Sequence, residues 1–156
     1  MKITKLFFLF IIVFSSVSCK KDDDVSAELH SPVSIVGVWY PRSFQVFDSQ
    51  TNNPEIEVSA YSVCKQKNSK QFNENKTVTQ KQYQETFSSC IDDGVATYKY
   101  ELNGSDQIIF TFYNNTAVLY NKIVSMTDSQ LILRNDFVSD SSGVPKNVYQ
   151  ITTYTK

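Results

Sequence analysis

The sequence predicts an all-β protein, folded as an antiparallel up-and-down β-barrel of about eight strands. Tyr, Phe, Val, Ile and Thr recur with a period of two in short runs, as in strands whose side chains alternate between two faces. Asn, Asp, Gly and Ser separate the runs, which is typical of turns. No stretch of useful length has the period of an amphipathic helix. Together these patterns favour a meander that closes into a barrel.

Eight segments carry the alternating pattern, and each of them is long enough for one strand. In chain order they are 38–47, 69–73, 77–87, 95–102, 107–113, 116–126, 130–138 and 147–155. Pro41 interrupts the first segment. Because proline has no N–H to donate to a neighbouring strand, we expect a bulge or an edge position there.

The hairpin between the fifth and sixth segments has a defined predicted register. Asn114 and Asn115 both tolerate positive φ, which a two-residue type I′ turn requires. This turn places Phe110 opposite Leu119. One face of the hairpin then carries the inward side chains, Ile108, Phe110, Phe112, Ala117, Leu119 and Ile123.

The turn before this hairpin is predicted to be a three-residue loop, 102–104, with Gly104 in the left-handed conformation. It pairs Tyr98 with Ile108, so three consecutive strands agree on one buried face. We expect this face to line either a packed core or a ligand pocket. The predicted lining residues are Trp39, Tyr98, Tyr100, Ile108, Phe110, Phe112 and Leu119.

The N-terminal segment, residues 1–18, is predicted to be a secretion signal. Lys2 and Lys5 precede the apolar run from Leu6 to Phe14, and small serines follow it. A helix of about nine residues covers roughly 13 Å, whereas the hydrocarbon core of a bilayer is about 30 Å thick. The run is therefore too short to span a membrane.

The residues after this segment resemble the start of a mature bacterial lipoprotein. Cys19 follows the small serines as the acylated cysteine of a lipobox does, and this resemblance implies a membrane anchor at Cys19. The acidic run Asp22–Asp24 resembles a signal for export to the outer face of the outer membrane. We expect a charged tether at 19–34 and a barrel domain at 35–156. The alternative is an ordinary secreted protein with a chance cysteine.

Composition and motifs disfavour several classes of function. Without segment 1–18 the formal net charge changes from −1 to −3, and no basic stripe is present for nucleic acid. The only histidine, His30, lies in the tether, so no zinc site or histidine-activated nucleophile is expected. Asp92, Asp93 and Asp136 lie where turn residues are common. We expect no catalytic residue, no metal and no cofactor.

Cys64 and Cys90 form an even pair once Cys19 is acylated. In an oxidising compartment such a pair is expected to form a disulfide. Closing a loop of about 27 residues would stabilise the fold by roughly 3.5 kcal/mol in the chain-entropy model. A zinc site is the alternative, and it lacks further ligands.

Several motifs resemble those of the bacterial lipocalin-like lipoproteins. They are the G-x-W of Gly37–Trp39, the F-N-x-N-x-T-V of Phe72–Val78 and the closing strand that ends at Tyr154. The resemblance implies a short barrel with Trp39 at its closed end. It also implies that an arginine packs over this tryptophan, and Arg134 is the candidate. The alternative, which the inward parity of its two leucine neighbours favours, places Arg134 on the solvated face.

Two classes of function fit such a barrel. It binds a small hydrophobic ligand, or its own side chains fill the interior; we favour a packed or nearly packed core. Alternatively, the protein binds a macromolecule through its loops, as lipoproteins that inhibit lysozyme do. The polar segments 48–57 and 139–146 are the candidate loops. We expect a monomer.

Overall fold

The computed structural model of the chain describes residues 33–87, 89–112, 116–140 and 143–156. The predicted signal segment, Cys19 and the turn residues Asn114 and Asn115 lie outside the described residues. Within the described ranges the chain forms nine strands and one short 3₁₀ turn at Lys65–Lys67. The strands are β1 Gly37–Asp48, β2 Pro54–Ala60, β3 Ser69–Phe72, β4 Thr77–Glu85, β5 Cys90–Asn103, β6 Gln107–Phe112, β7 Ala117–Met126, β8 Gln130–Ser139 and β9 Lys146–Thr155.

All the strand pairings are antiparallel, and the sheet closes on itself. From β3 to β9 each strand pairs with the next one along the chain, and β9 pairs with β1. β2 and β3 both pair with the other edge of β1: β2 with its second half and β3 with its first three residues. They therefore share one of eight positions around the barrel. The predicted fold class, an antiparallel up-and-down barrel, is confirmed.

β2 was not predicted as a strand, because part of it falls in a segment that we assigned to a polar loop. Ile56 and Val58 alternate with Glu55 and Glu57 in this strand. The alternation is thus present, but the apolar side chains are exposed, 43% for Ile56 and 68% for Val58. β2 pairs with β1 alone among the described strands, so it lies at an edge of the sheet.

The bulge predicted at Pro41 is present. The register between β1 and β9 shifts between Pro41 and Ser43, where Pro41 lies opposite Tyr154 and Ser43 opposite Thr153. An extra residue at this point lets the strand continue although proline donates no hydrogen bond.

The predicted register between β6 and β7 is confirmed, since Phe110 lies opposite Leu119. The predicted register between β5 and β6 was wrong by four residues. Leu102, not Tyr98, lies opposite Ile108, because the three-residue loop is 104–106 and not 102–104. Gly104 has positive φ as expected, +67°, but it begins the loop instead of ending it. A shift by an even number of residues preserves the face of every side chain, so the predicted inward face of β5 was still correct.

The centre of the barrel is aromatic and closely packed. The rings of Phe72 and Tyr100 meet edge to face at 5.1 Å, and those of Tyr98 and Phe110 do so at 5.5 Å. The largest fully buried side chains of the described residues are Trp39, Phe72, Val78, Ile108, Phe110 and Leu131. Edge-to-face contacts add to the free energy gained by burying the ring area.

Cys64 and Cys90 form the predicted disulfide, with their Cα atoms 5.4 Å apart. It joins the segment between β2 and β3 to the first residue of β5. This is the side of the barrel where β2 has no pairing with β4 among the described strands. Asn68 also bridges this gap, because its Oδ1 accepts a hydrogen bond from the Tyr83 N–H at 2.7 Å.

Candidate functional site

The interior of the barrel is packed at one end and open at the other. Trp39, Phe72 and Ile108 fill the packed end and are at most 1% exposed. At the other end, Ala117 and Leu119 share the inward parity of the buried β7 residues, yet both are exposed to solvent. Inward-facing side chains can be exposed only where the barrel is open.

A cavity of about 170 Å³ lies at this open end, and we call it the barrel cavity. Its lining combines apolar and polar side chains, namely Tyr61, Lys70, Phe110, Leu119, Asn121, Leu133, Asn135, Gln150, Thr152 and Tyr154. A neighbouring cavity of about 100 Å³ shares Tyr61, Lys70 and Tyr154 with it. No described carboxylate lines either cavity.

Lys70 is the cation of the barrel cavity. Its Nζ donates to Gln80 Oε1 and to the Tyr98 hydroxyl, both at 2.9 Å. It also lies 5.3 Å from the centre of the Phe110 ring and 5.6 Å from that of Tyr98. Burial of the ammonium lowers the pKa of Lys70 to about 8, because a low-dielectric site disfavours the charged form. The aromatic faces stabilise the cation, but they do not neutralise it.

Asn121 and Asn135 add unpaired polar atoms to the same cavity. They lie opposite each other on β7 and β8. The Nδ2 of Asn121 and the Oδ1 of Asn135 are both buried without a hydrogen-bond partner. Unpaired buried polar atoms are costly, and native proteins usually satisfy them with water, ions or ligands.

The remaining polar groups of the cavity are paired or neutral. Gln150 Nε2 donates to the Tyr61 hydroxyl at 3.1 Å and to Thr152 Oγ1 at 2.8 Å. The Tyr98 hydroxyl donates to Gln80 Oε1 at 2.6 Å. Burial raises the pKa of Tyr98 and of Tyr154 above the ordinary value, so both phenols stay protonated at neutral pH.

The predicted lining residues fall in three places. Phe110 and Leu119 line the barrel cavity, and Tyr98 reaches it through the hydroxyl that accepts from Lys70. Tyr100 and Ile108 belong to the packed part of the interior, and Phe112 packs against it but is only half-buried. Trp39 is buried at the closed end, where its Nε1 donates to the Ile35 carbonyl at 2.7 Å. Their role in ligand binding stays a prediction.

The polar lining residues were missed at the sequence level. Strand parity could have found them, because each lies two residues from an inward apolar side chain. Lys70 precedes Phe72 in this way, and Asn135 follows Leu133. The predicted inward face contains only apolar and aromatic residues, and polar side chains at inward positions break that pattern.

Arg134 does not pack over Trp39. Its guanidinium lies 3.8 Å from the centre of the Tyr149 ring and donates to Asp136 Oδ1 at 2.7 Å. The alternative, an outward-facing Arg134, is therefore correct. Lys156 occupies the expected position instead, with its Nζ 4.6 Å from the centre of the Trp39 ring.

The two candidate loop segments are joined by ion pairs of Lys146, the last residue of the second segment. Lys146 Nζ forms an ion pair with Asp48 Oδ2 at 2.8 Å and a second one with Glu55. The hydrogen bond from Lys146, with the backbone N–H groups of Thr51 and Gln50, holds the pKa of Asp48 well below its usual range. These contacts fix the segment after β1 against the start of β9.

Within the described ranges, no group of three or more histidine, cysteine, aspartate or glutamate side chains is arranged to hold a metal ion. Over the same ranges, no helix has the length and apolar character needed to cross a bilayer.

Comparisons with solved structures identify chains that are distantly similar. One is a deswapped triple mutant of bovine odorant binding protein, 16% identical, covering 77% of this chain and 72% of that chain with a TM-score of 0.40. Bovine odorant binding protein in complex with undecanal is 14% identical, covering 77% and 69% with a TM-score of 0.41. Aphrodisin, a sex pheromone from female hamster, is 13% identical, covering 79% and 75% with a TM-score of 0.42. No curated protein matches the chain.

A sequence model of the lipocalin-like domain matches residues 35–133, from the residue that accepts the Trp39 hydrogen bond to the middle of β8. This span is well over half of the chain and includes most of the barrel. The chain belongs to the lipocalin-like domain family.

Proposed function

We propose that this protein binds a small, largely hydrophobic molecule in the barrel cavity and catalyses no reaction. The observation that carries the proposal is the barrel cavity itself, which is open to solvent and lined by Phe110, Leu119 and Leu133. The buried polar atoms of Asn121 and Asn135 support it, since a bound molecule would give them partners.

The dimensions of the cavity suit a small molecule. A cavity of about 150 Å³ in a protein interior is large enough for benzene. The barrel cavity has about 170 Å³, and its open end allows a longer ligand to extend past Leu119 toward solvent. Our expectation of a packed or nearly packed core describes the closed end of the barrel and not this one.

We further propose that the protein is lipidated at Cys19 and displayed on the outer face of the outer membrane, as a monomer. This proposal rests on the lipobox-like sequence and the acidic run that follows it. Palmitate labelling and membrane fractionation test it. The Cys19→Ala variant should take up no palmitate and should leave the membrane fraction. A Cys19→Ala variant that remains in the membrane fraction would contradict the anchor.

Titration with the neutral fluorescent probe N-phenyl-1-naphthylamine tests ligand binding. The wild-type chain should bind the probe with an increase in its fluorescence. Leu119→Trp should abolish this increase, because the indole fills the mouth of the cavity. Val118→Trp is the matched control, since Val118 lies on the same strand with outward parity and is 47% exposed. Equal binding by both variants would place the probe outside the barrel.

A second candidate function is binding of a protein such as a lysozyme or another hydrolase. The ion pairs of Lys146 favour it, because they join Asp48 and Glu55 of one candidate segment to the last residue of the other. Inhibition assays with lysozyme test this candidate. Lys146→Ala should weaken any inhibition, whereas Leu119→Trp should leave it unchanged.

A further inference from the structure

We infer that the ligand of the barrel cavity is a small amphipathic carboxylate, and that its head group binds the ammonium of Lys70. The inference rests on the proposed function and adds the chemical class of the ligand. The ammonium is the one charged group among the described residues that line the cavity.

The charge of Lys70 lacks a counter-ion among the described residues that line the cavities. The other titratable groups beside it in the described lining are the phenols of Tyr61, Tyr98 and Tyr154, and none of them is a carboxylate. The residues that lie directly opposite Lys70 are neutral: Trp39 on β1 and Gln80 on β4. Burying a charge is unfavourable unless an opposite charge accompanies it. A ligand carboxylate would supply that charge.

The Lys70 ammonium has one N–H donor available for this head group. An ammonium has three N–H donors, and Gln80 Oε1 and the Tyr98 hydroxyl accept two of them. The third is free for a ligand oxygen. The Tyr98 hydroxyl donates to Gln80, so these two side chains fix the position of the ammonium without competing for the ligand.

The rest of the cavity matches an amphipathic molecule. Phe110, Leu119 and Leu133 offer apolar surface for a hydrocarbon tail, which reaches solvent at the open end. The unpaired atoms of Asn121 and Asn135, one a donor and one an acceptor, suit a hydroxyl group or a water molecule that accompanies the ligand. A purely hydrocarbon ligand would leave both the ammonium and these amides without partners.

Calorimetric titration with octanoate and with octanamide tests the inference, because the two differ in charge and hardly in size. The wild-type chain should bind octanoate more tightly at pH 7. Lys70→Met should weaken octanoate binding by about tenfold or more, as expected for loss of a charge-assisted hydrogen bond, and change octanamide binding little. Lys70→Arg should restore part of the affinity for octanoate. Lys81→Met is the matched control, since Lys81 lies on the adjacent strand and pairs with Asp92 outside the cavity.

The pH dependence of the wild-type chain gives a readout that needs no variant. Octanoate affinity should fall as Lys70 loses its proton above about pH 8, whereas octanamide affinity should stay constant. Equal affinities for the two ligands, or unchanged octanoate binding by Lys70→Met, would overturn the inference and leave the proposed function intact. If neither these ligands nor the naphthylamine probe binds, the proposed function fails, and the inference fails with it.

Discussion

The closed and open ends of the barrel interior differ in how their polar atoms are partnered. At the closed end the one indole N–H is satisfied by the Ile35 carbonyl, and most of the buried side chains that pack with it are apolar. At the open end a lysine ammonium has no counter-ion in the part of the chain that the structure describes, and two asparagine side chains keep unpaired buried atoms. The first arrangement stabilises the fold, whereas the second weakens it. Sites that bind ligands commonly depart from optimal stability in this way.

The largest expected effect is the difference in stability lost when a large side chain is truncated at each end of the barrel. Phe72→Ala at the closed end should lower the free energy of unfolding by about 3–5 kcal/mol, because it leaves a cavity in a packed core. Leu119→Ala at the open end should cost less than about 1 kcal/mol, since Leu119 is 37% exposed already. Urea denaturation measures both. Equal losses would show that the open end is as closely packed as the closed one.

The disulfide gives the next largest effect. Replacing Cys64 and Cys90 together by serine should lower the free energy of unfolding by about 2–4 kcal/mol. Denaturation of the wild-type chain in reductant should show a similar loss, while the double variant should not respond to reductant. A wild-type chain that is insensitive to reductant would contradict a structural role for the bond.

Lys70→Met is expected to stabilise the ligand-free protein, by about 1–3 kcal/mol at pH 7, because it removes a buried charge. In the wild-type chain the pKa of Lys70 is lowered to about 8, so between about pH 8 and 10 the unfolded state binds more protons than the folded state. Wild-type stability should therefore rise over this window, and the advantage of Lys70→Met should shrink. Denaturation at pH 7 and at pH 9.5 measures the change.

Two features would contradict this expectation. One is a destabilised Lys70→Met variant in protein shown to be free of ligand; the other is an advantage that does not change with pH. Lys81→Met is again the control. Hydrogen bonds with Tyr83 and with Asp92 raise the pKa of Lys81, so its removal should give no stabilisation.

The smallest expected effect concerns the surface ion pairs. The pKa of Asp48 is lowered by Lys146 and by two backbone N–H groups, so its contribution to stability is present above its unfolded pKa, near 3.8. That contribution should be lost as pH falls below about 4. Asp48→Asn should reduce stability at pH 7 and flatten the pH dependence in the acid range. Thermal melts at pH 3 and pH 7 compare the two chains.

Most of the fold could be predicted from the sequence because strand alternation encodes which side chains are buried. The alternation located eight of the nine described strands and the inward face of β5, β6 and β7. The register of β5 was wrong because 102–104 and 104–106 both contain the glycine that a three-residue loop needs. β2 was missed because its apolar residues are exposed, so they do not mark a core.

The candidate site was harder to predict than the fold. Lys70, Asn121 and Asn135 are polar residues at inward positions, and polarity by itself indicates a solvated face. Only the closed sheet shows that these three side chains, from β3, β7 and β8, line one cavity. The cation beside Trp39 was predicted wrongly for the same reason. Lys156, and not Arg134, lies there, and this depends on which strands meet when the barrel closes.

Native mass spectrometry of the full-length protein, purified from its own host in detergent, tests the central claim most directly. The account predicts one small organic acid per chain, released when the protein is denatured and absent from Leu119→Trp. The account would be contradicted if the wild-type chain carried no such molecule, so that its mass differed from that of Leu119→Trp only by the substitution.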